Sequence, residues 1–330
     1  MKALVTGATG FLGQKLALRL VSMGYEVTGI GRNTAIGETL KKHGVHFVPC
    51  SLEDKTKIAE LCKEQHFVFH CGALSSPWGK YRDFFHSNVI GTQNMIEGCK
   101  RADVNRLIHV STPSLYFNFD ERLDVKEYDP LPKAFVNHYA KTKHLAELEM
   151  DKAFQEGLPT ITIRPRALFG PGDNAILPRL IKVCEKGFFP KVGTGSVQVD
   201  ITYVENVVDA LLLCMHSEEK TLGQKYNITN GVRINLYDVI EQVMVMLGKS
   251  FKYKNISFER AFTIAKYLER FSLLFLAGKE PVLTRYSVSV LAKSQTLNIE
   301  KAKNELGYTP RITIEEGIHE FVKWWETHGN

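Results

Sequence analysis

The sequence predicts an α/β fold, a doubly wound parallel sheet with helices on both faces and a smaller C-terminal lobe. Three observations predict it. Apolar strand candidates alternate with helical stretches through the first two thirds of the 330 residues. The first strand runs directly into Gly7, Gly10 and Gly13. After about residue 166 the rhythm loosens: PRALFGPGD and PKVGTGS read as loops, and about 240 to 330 reads as mostly helix with short strands.

Strands are expected near 2–6, 26–30, 45–48, 67–70, 106–110, 160–164 and 225–228. In the opening MKALVTGATGFLGQ, Lys2 to Val5 supplies a short buried strand and Gly7 a sharp turn. Gly10 lets the backbone approach a pyrophosphate, and Gly13 lets the following helix pack closely on the sheet. Leu12, Leu16 and Leu20 recur at helical spacing and Gly24 ends the helix, so its first amides point at an anion. A dinucleotide is the expected ligand, held by a domain of residues 1–165 plus about 197–238. About 166–196 and 239–330 are expected to form the substrate lobe.

Composition narrows the class. Forty-two basic against 36 acidic residues give a formal charge of +6 with no dense Lys/Arg run, which suits solubility and a phosphorylated ligand, not nucleic acid. Six cysteines without a CxxC pair predict free thiols and no metal site, and a strand beginning at residue 2 leaves no secretory leader, so a cytoplasmic protein is expected. Residues 258–277 place Phe258, Phe262, Ala265, Leu268 and Phe275 on one helical stripe, while Lys266, Glu269 and Arg270 interrupt any apolar run long enough to span a bilayer. The alternatives are a core or dimer-facing helix and a greasy lid making peripheral membrane contact.

Two further segments carry reactive groups. HVSTPSLY at 109–116 follows a strand, and NHYAKTK at 137–143 opens a helix that sets Tyr139 and Lys143 on one face. An ammonium beside a phenol is expected to lower the phenol's pKa, so that Tyr139 exchanges a proton with a substrate oxygen that Thr112 orients. Lys143 is expected also to hold the nicotinamide ribose. At the end of EVTGIGRN, Gly31 occupies the place where an NAD-binding chain usually offers a carboxylate, and Arg32 follows, which favours NADP(H) with NAD(H) as the alternative.

TGATGFLG, STPSLY and YAKTK together resemble the extended short-chain dehydrogenase/reductases, the NAD-dependent epimerase/dehydratase superfamily with a Rossmann domain. VFHCGA, NVIGTQN, RPRALFGPGD, VDITYVENVVDAL and KAKNELGYTPRITIEEGI extend the likeness over nearly the whole chain, closest to its 3β-hydroxysteroid dehydrogenase-like branch and the bacterial 2-alkyl-3-oxoalkanoate reductases. The resemblance implies cofactor contacts from Thr9, Phe11, Leu12, Ser51, Leu52, Cys71, Gly72, Ala73 and Pro165, and a homodimer. Ser51 replaces the first Asp of the family's adenine-side GDLxD segment, and Asp54 matches the second.

It also ranks substrates. Sugar epimerases carry Arg where Val199 stands, and sugar dehydratases follow the Thr with Asp and Glu where Pro113 and Ser114 stand. The expected activity is hydride transfer between a secondary alcohol and a ketone on a hydrophobic substrate, with Ser75, Trp78, Thr112 and Ser114 as substrate contacts. Trp78 as a packing residue, a nucleotide-sugar epimerase or reductase, and a non-catalytic dinucleotide sensor are the competing readings.

Overall fold

The computed structural model describes residues 1–329. Seven strands, β1 (Lys2–Thr6), β2 (Glu26–Gly31), β3 (His46–Pro49), β4 (Phe67–His70), β5 (Arg106–Val110), β6 (Thr160–Pro165) and β7 (Lys225–Ile228), form one sheet. Every pairing in it is parallel, in the order β7-β6-β5-β4-β1-β2-β3. Each lies within a residue of its expected position, because burial on both helix-covered faces selects short, nearly continuous apolar runs. Ala3 and Val5 of β1 point into one core with helix α1 (Phe11–Ser22), and Leu4 points into the other. The strand order reverses between β1 and β4, which opens a crevice at the carboxyl ends of the strands.

Helices α2 (Lys55–Cys62), α3 (Gly91–Ala102) and α4 (His138–Gln155) supply Ile58, Met95, Ile96, Met150 and Ala153 to the second core. Helix α5 (Val204–His216) lies on the α1 side, giving Val204, Val207, Val208 and Leu211 to the first.

A smaller lobe adds its own sheet and core. Its four-stranded sheet runs Ile234–Asn235, Gln198–Val199, Gln295–Leu297, Arg122–Val125. A separate core gathers Phe169, Ile181, Phe189, Tyr237, Ile240 and Phe321. The chain interleaves the two bodies: Arg122–Val125 leaves the large sheet for the small one, while Ile299, Ala302, Leu306 and Tyr308 return to the α1-side core.

Helix α6 (Phe258–Phe275) departs from the expected stripe. Ala261 and Ala265 pack inward with Phe258 and Phe262, but from there Glu269 and Ser272 take the inner face. Leu268 and Phe275 are exposed. The physical reason is an ion pair: Glu269 reaches Nε of Arg285 at 2.7 Å and accepts that residue's backbone N–H, which rotates the apolar side of the C-terminal turns to solvent.

Arg164 on β6 and Glu147 on α4, each 3% exposed, form a two-pronged ion pair that ties the α4 helix to the sheet. The guanidinium also donates to the Tyr116 hydroxyl, which in turn donates to Asn227 Oδ1 at 2.9 Å. Arg164→Ala leaves a buried carboxylate without its partner and is expected to cost about 3–5 kcal/mol, measured by urea unfolding.

Candidate active site

The turn after β1 and the loop after β4 meet backbone to backbone. A Cβ at Gly7, whose φ is +66°, would stand 2.8 Å from Gly72 Cα, and one at Gly13 would stand 2.2 Å from the Gly7 carbonyl oxygen. Thr6 Oγ1 accepts the Gly72 N–H at 2.9 Å and locks the crossing. Gly10 precedes α1, and no side chain caps the helix. The amides of its first turn are therefore free to receive a pyrophosphate, so this cradle of glycines fits a dinucleotide. Thr9, Phe11 and Leu12 belong to the same turn. Thr9 presses against Gly31, where a Cβ would come within 2.4 Å of its Oγ1, and Phe11 packs beside Gly172.

Around this cradle lie the other residues expected to meet the cofactor. Arg32 is exposed at the end of β2, and among the described residues no acidic group lies within ion-pair distance of it. Ser51 Oγ accepts the Glu53 N–H at 3.3 Å, Leu52 packs on Gly91 and near Gly72, and Asp54 caps α2 through the Lys57 N–H. Cys71, Gly72 and Ala73 follow β4 directly. Burial pushes the Cys71 thiol up to about 12, so it remains protonated. Pro165 ends β6 opposite Ile228.

The reactive groups converge at the ends of β5 and α4. Asn137 caps α4 by accepting the Ala140 N–H at 2.9 Å, which fixes the first turn where Tyr139 projects. The Tyr139 phenol lies within hydrogen-bonding reach of the Ser75 and Thr112 hydroxyls, and the Tyr286 phenol is near enough for its charge to be felt there. Thr112 begins a 3₁₀ turn (Pro113–Tyr116), accepts the Ser114 N–H at 3.2 Å and donates to Ser114 Oγ at 3.1 Å. Trp78 donates its indole N–H to the Gly278 carbonyl at 2.8 Å, tying the loop after β4 to the end of α6.

Lys143 lies one turn beyond Tyr139, with its ammonium turned inward to the Val110 carbonyl at 2.8 Å and His109 Nε2 at 3.0 Å. The expected lowering of the phenol pKa by this lysine is thereby corrected. Burial raises Tyr139, only the Ser75 and Thr112 hydroxyls oppose the rise, and Lys143 is itself pushed down to about 8 by burial. A desolvated ammonium held on a carbonyl and a neutral imidazole has its field spent on those partners.

Sequence reading missed the histidines behind this pair, whereas Asn88 belongs to the NVIGTQN segment of the resemblance. His70 bridges Thr6 Oγ1 at 2.9 Å and Thr92 Oγ1 at 3.0 Å, and its ring lies 5.3 Å from that of His109. Asn88, in a π-helical turn (Phe85–Ile90), holds Leu74 through both its N–H and its carbonyl and donates to Thr142 on α4. Tyr286 and Arg166 were not named as site residues, although Arg166 lies within RPRALFGPGD.

These glycines, the strand-end Thr and the Tyr and Lys of α4 define a nucleotide-dependent oxidoreductase of the Rossmann class. A family model described as "NAD dependent epimerase/dehydratase family" matches residues 3–229, and the chain belongs to that family. It is 34% identical to the 2-alkyl-3-oxoalkanoate reductase of Stenotrophomonas maltophilia (strain K279a), with 96% of this chain and 97% of that one covered. It is also 34% identical to 3beta-hydroxysteroid-dehydrogenase/decarboxylase isoform 1 of Arabidopsis thaliana, covering 92% of this chain and 71% of that protein. Among solved structures, UDP-glucuronic acid 4-epimerase from Bacillus cereus in complex with NAD superposes with a TM-score of 0.79 at 22% identity, covering 99% of this chain and 97% of that one.

The protein is thus an NAD-dependent oxidoreductase. Burial holds His70 down at about 3 and His109 well below its ordinary 6.5. Between these values the unfolded chain binds protons that the folded chain refuses, so stability is full above about pH 6.5 and falls as the pH drops. The urea midpoint is expected to decline from about pH 7 to about pH 5, and His70→Gln with His109→Gln is expected to flatten that slope.

Proposed function

We propose that the protein reduces a ketone to a secondary alcohol on a long-chain or ring-like hydrophobic substrate, in the manner of a 2-alkyl-3-oxo acid reductase, with NADPH as the preferred donor. The carrying observation is the cluster of Tyr139, Thr112 and Ser75 hydroxyls bordered by aromatic side chains. Phe117 packs edge to face on Tyr286 at 6.0 Å, and Phe119 on Phe262 at 5.6 Å. Val199, in the sugar-epimerase arginine position, is buried in the small sheet and offers no charge to a diphosphate. The names of the full-length relatives support the same class. Nucleotide-sugar epimerisation is the competing reading.

The dinucleotide, when bound, supplies the hydride. Tyr139 delivers the proton to the carbonyl oxygen as negative charge develops there, and Thr112 donates a hydrogen bond to the same oxygen. The raised phenol pKa keeps Tyr139 protonated, which suits a proton donor. Lys143, fixed on Val110 and His109, holds a positive charge beneath the site. Arg32 offers a planar cation to a 2′-phosphate, while Thr9 leaves no room for a side chain at Gly31.

Freshly prepared 2-alkyl-3-oxo acids are expected to oxidise NADPH faster than NADH, followed at about 340 nm, with Arg32→Ala narrowing the difference. Tyr139→Phe is expected to retain cofactor binding and lose on the order of 10²–10⁴ in kcat. Normal turnover by that variant, or epimerisation of a UDP-sugar in place of ketone reduction, reverses the assignment.

Delivery of such a substrate is assigned to α6, proposed to lie on an anionic membrane surface. Leu274 is 75% and Phe275 70% exposed, next to exposed Phe271 and Leu276. Arg260, Lys266 and Arg270 along the helix and Lys279 just beyond it have no acidic partner within 4.0 Å among the described residues, whereas Glu280 pairs with Arg179. None of the described helices is long and apolar enough to cross a membrane. Phosphatidylglycerol-containing vesicles are expected to carry the protein in flotation, and Leu274→Ser/Phe275→Ser to release it. Equal flotation of the variant, or burial of this face between two copies by light scattering, overturns the assignment. The proposed setting is the cytoplasm, supported by six cysteines without a disulfide, and the proposed assembly is a homodimer, supported by the family resemblance.

A further inference from the structure

Two arginines follow one another along the end of β6, and their surroundings differ. Arg164 is neutralised by Glu147 and bonded to Tyr116. Arg166 is held firmly but not neutralised. Its backbone is fixed on both sides, with its N–H on the Ile228 carbonyl at 3.1 Å and its carbonyl accepting the Thr202 hydroxyl. Its side chain gives one hydrogen bond, from Nη1 to Gln295 Oε1. Nε is buried without an acceptor, and no Asp or Glu oxygen lies within 4.0 Å of the guanidinium among the described residues.

The amide that receives Nη1 is itself incomplete. Gln295 is 2% exposed, and its Nε2 is a second buried donor without an acceptor. Asp200, the carboxylate nearest in charge, is engaged by the Leu297 N–H at 2.6 Å and lies beyond ion-pair distance. Burial raises its carboxyl to about 6. Two orphan donors on adjacent side chains, one cationic, are costly to bury unless something accepts from them. They also lie at the strand ends that carry the reactive centre: Ser111, which precedes Thr112, donates its N–H to the Ile163 carbonyl of β6 at 2.7 Å, and Arg166 directly follows that strand.

We infer that Arg166 and Gln295 form a subsite for the substrate's carboxylate, which fixes the position of the ketone relative to Tyr139. The inference rests on the ketone-reductase reading above and narrows it: the substrate is an acid whose carboxyl group lies close to the reacting carbonyl, as in a β-keto acid. A planar carboxylate matches the forked donors of a guanidinium, and the amide N–H supplies a further donor. Arg166 is here a specificity residue, with no role in hydride or proton transfer. A neutral ketone of the same chain would enter the apolar site without filling the donors, which leaves them unpaired and weakens its binding.

The test compares a 2-alkyl-3-oxo acid with its methyl ester, in the unaltered protein and in Arg166→Gln, Arg166→Lys and Gln295→Leu. In the unaltered protein the KM of the acid is expected to be at least about tenfold below that of the ester. Arg166→Gln is expected to raise the acid's KM about 10- to 100-fold while kcat on the ester stays within about twofold, with partial recovery in Arg166→Lys. Comparison of the two substrates in the unaltered protein keeps the inference falsifiable if a variant does not fold. Equal KM values for acid and ester overturn the subsite and leave the reductase reading standing. If neither compound turns over, titration of the acid into NADPH-loaded protein separates the two: binding that Arg166→Gln abolishes retains the subsite and sinks the reductase reading. Absence of that binding overturns the subsite.

Discussion

The approach of bare backbone at Gly7, Gly13 and Gly72 is the constraint on which the rest of the site depends. Three chain segments, the β1 turn, the first turn of α1 and the loop leaving β4, come closer there than any Cβ permits. That closeness leaves the helix amides unobstructed and holds the start of the loop that carries Ser75 and Trp78 against the β1 turn. Thr6 joins the two halves, since one hydroxyl accepts the Gly72 N–H and meets His70. The phosphate cradle and the floor of the reactive site are therefore one hydrogen-bonded structure.

Beneath the reactive groups the charges are arranged in depth. The Lys143 ammonium is buried on a carbonyl and a neutral histidine, and Arg164 is closed by Glu147. Arg166 keeps a buried Nε without an acceptor, next to Gln295 of the small sheet. The ion pair of Arg164 with Glu147 ties α4 to the strand ends.

Helix α6 shows the cost of reading a helix by periodicity alone. Its aromatic residues at 258 and 262 and the alanine at 265 follow the inward stripe, yet Leu268 and Phe275 do not. Glu269 turns inward because Arg285, remote in the pattern, arrives to neutralise it. Pairing with a distant segment outweighed the local apolar preference, and the displaced residues became an exposed greasy surface.

The sequence by itself determined the elements whose cause is local. Glycines that must lack a side chain, strands with two buried faces, and the helix face shared by Tyr139 and Lys143 can each be read within a short window, and from them followed the sheet and the class of cofactor. The tertiary structure decided what depends on contacts between distant segments. It turned Lys143 toward His109 and the Val110 carbonyl, brought Ser75 to Tyr139, and set Gln295 beside Arg166. No spacing encodes these contacts, because electrostatic partners and desolvation are set by whichever segments the packed core brings together, across more than a hundred residues in the case of Arg166 and Gln295.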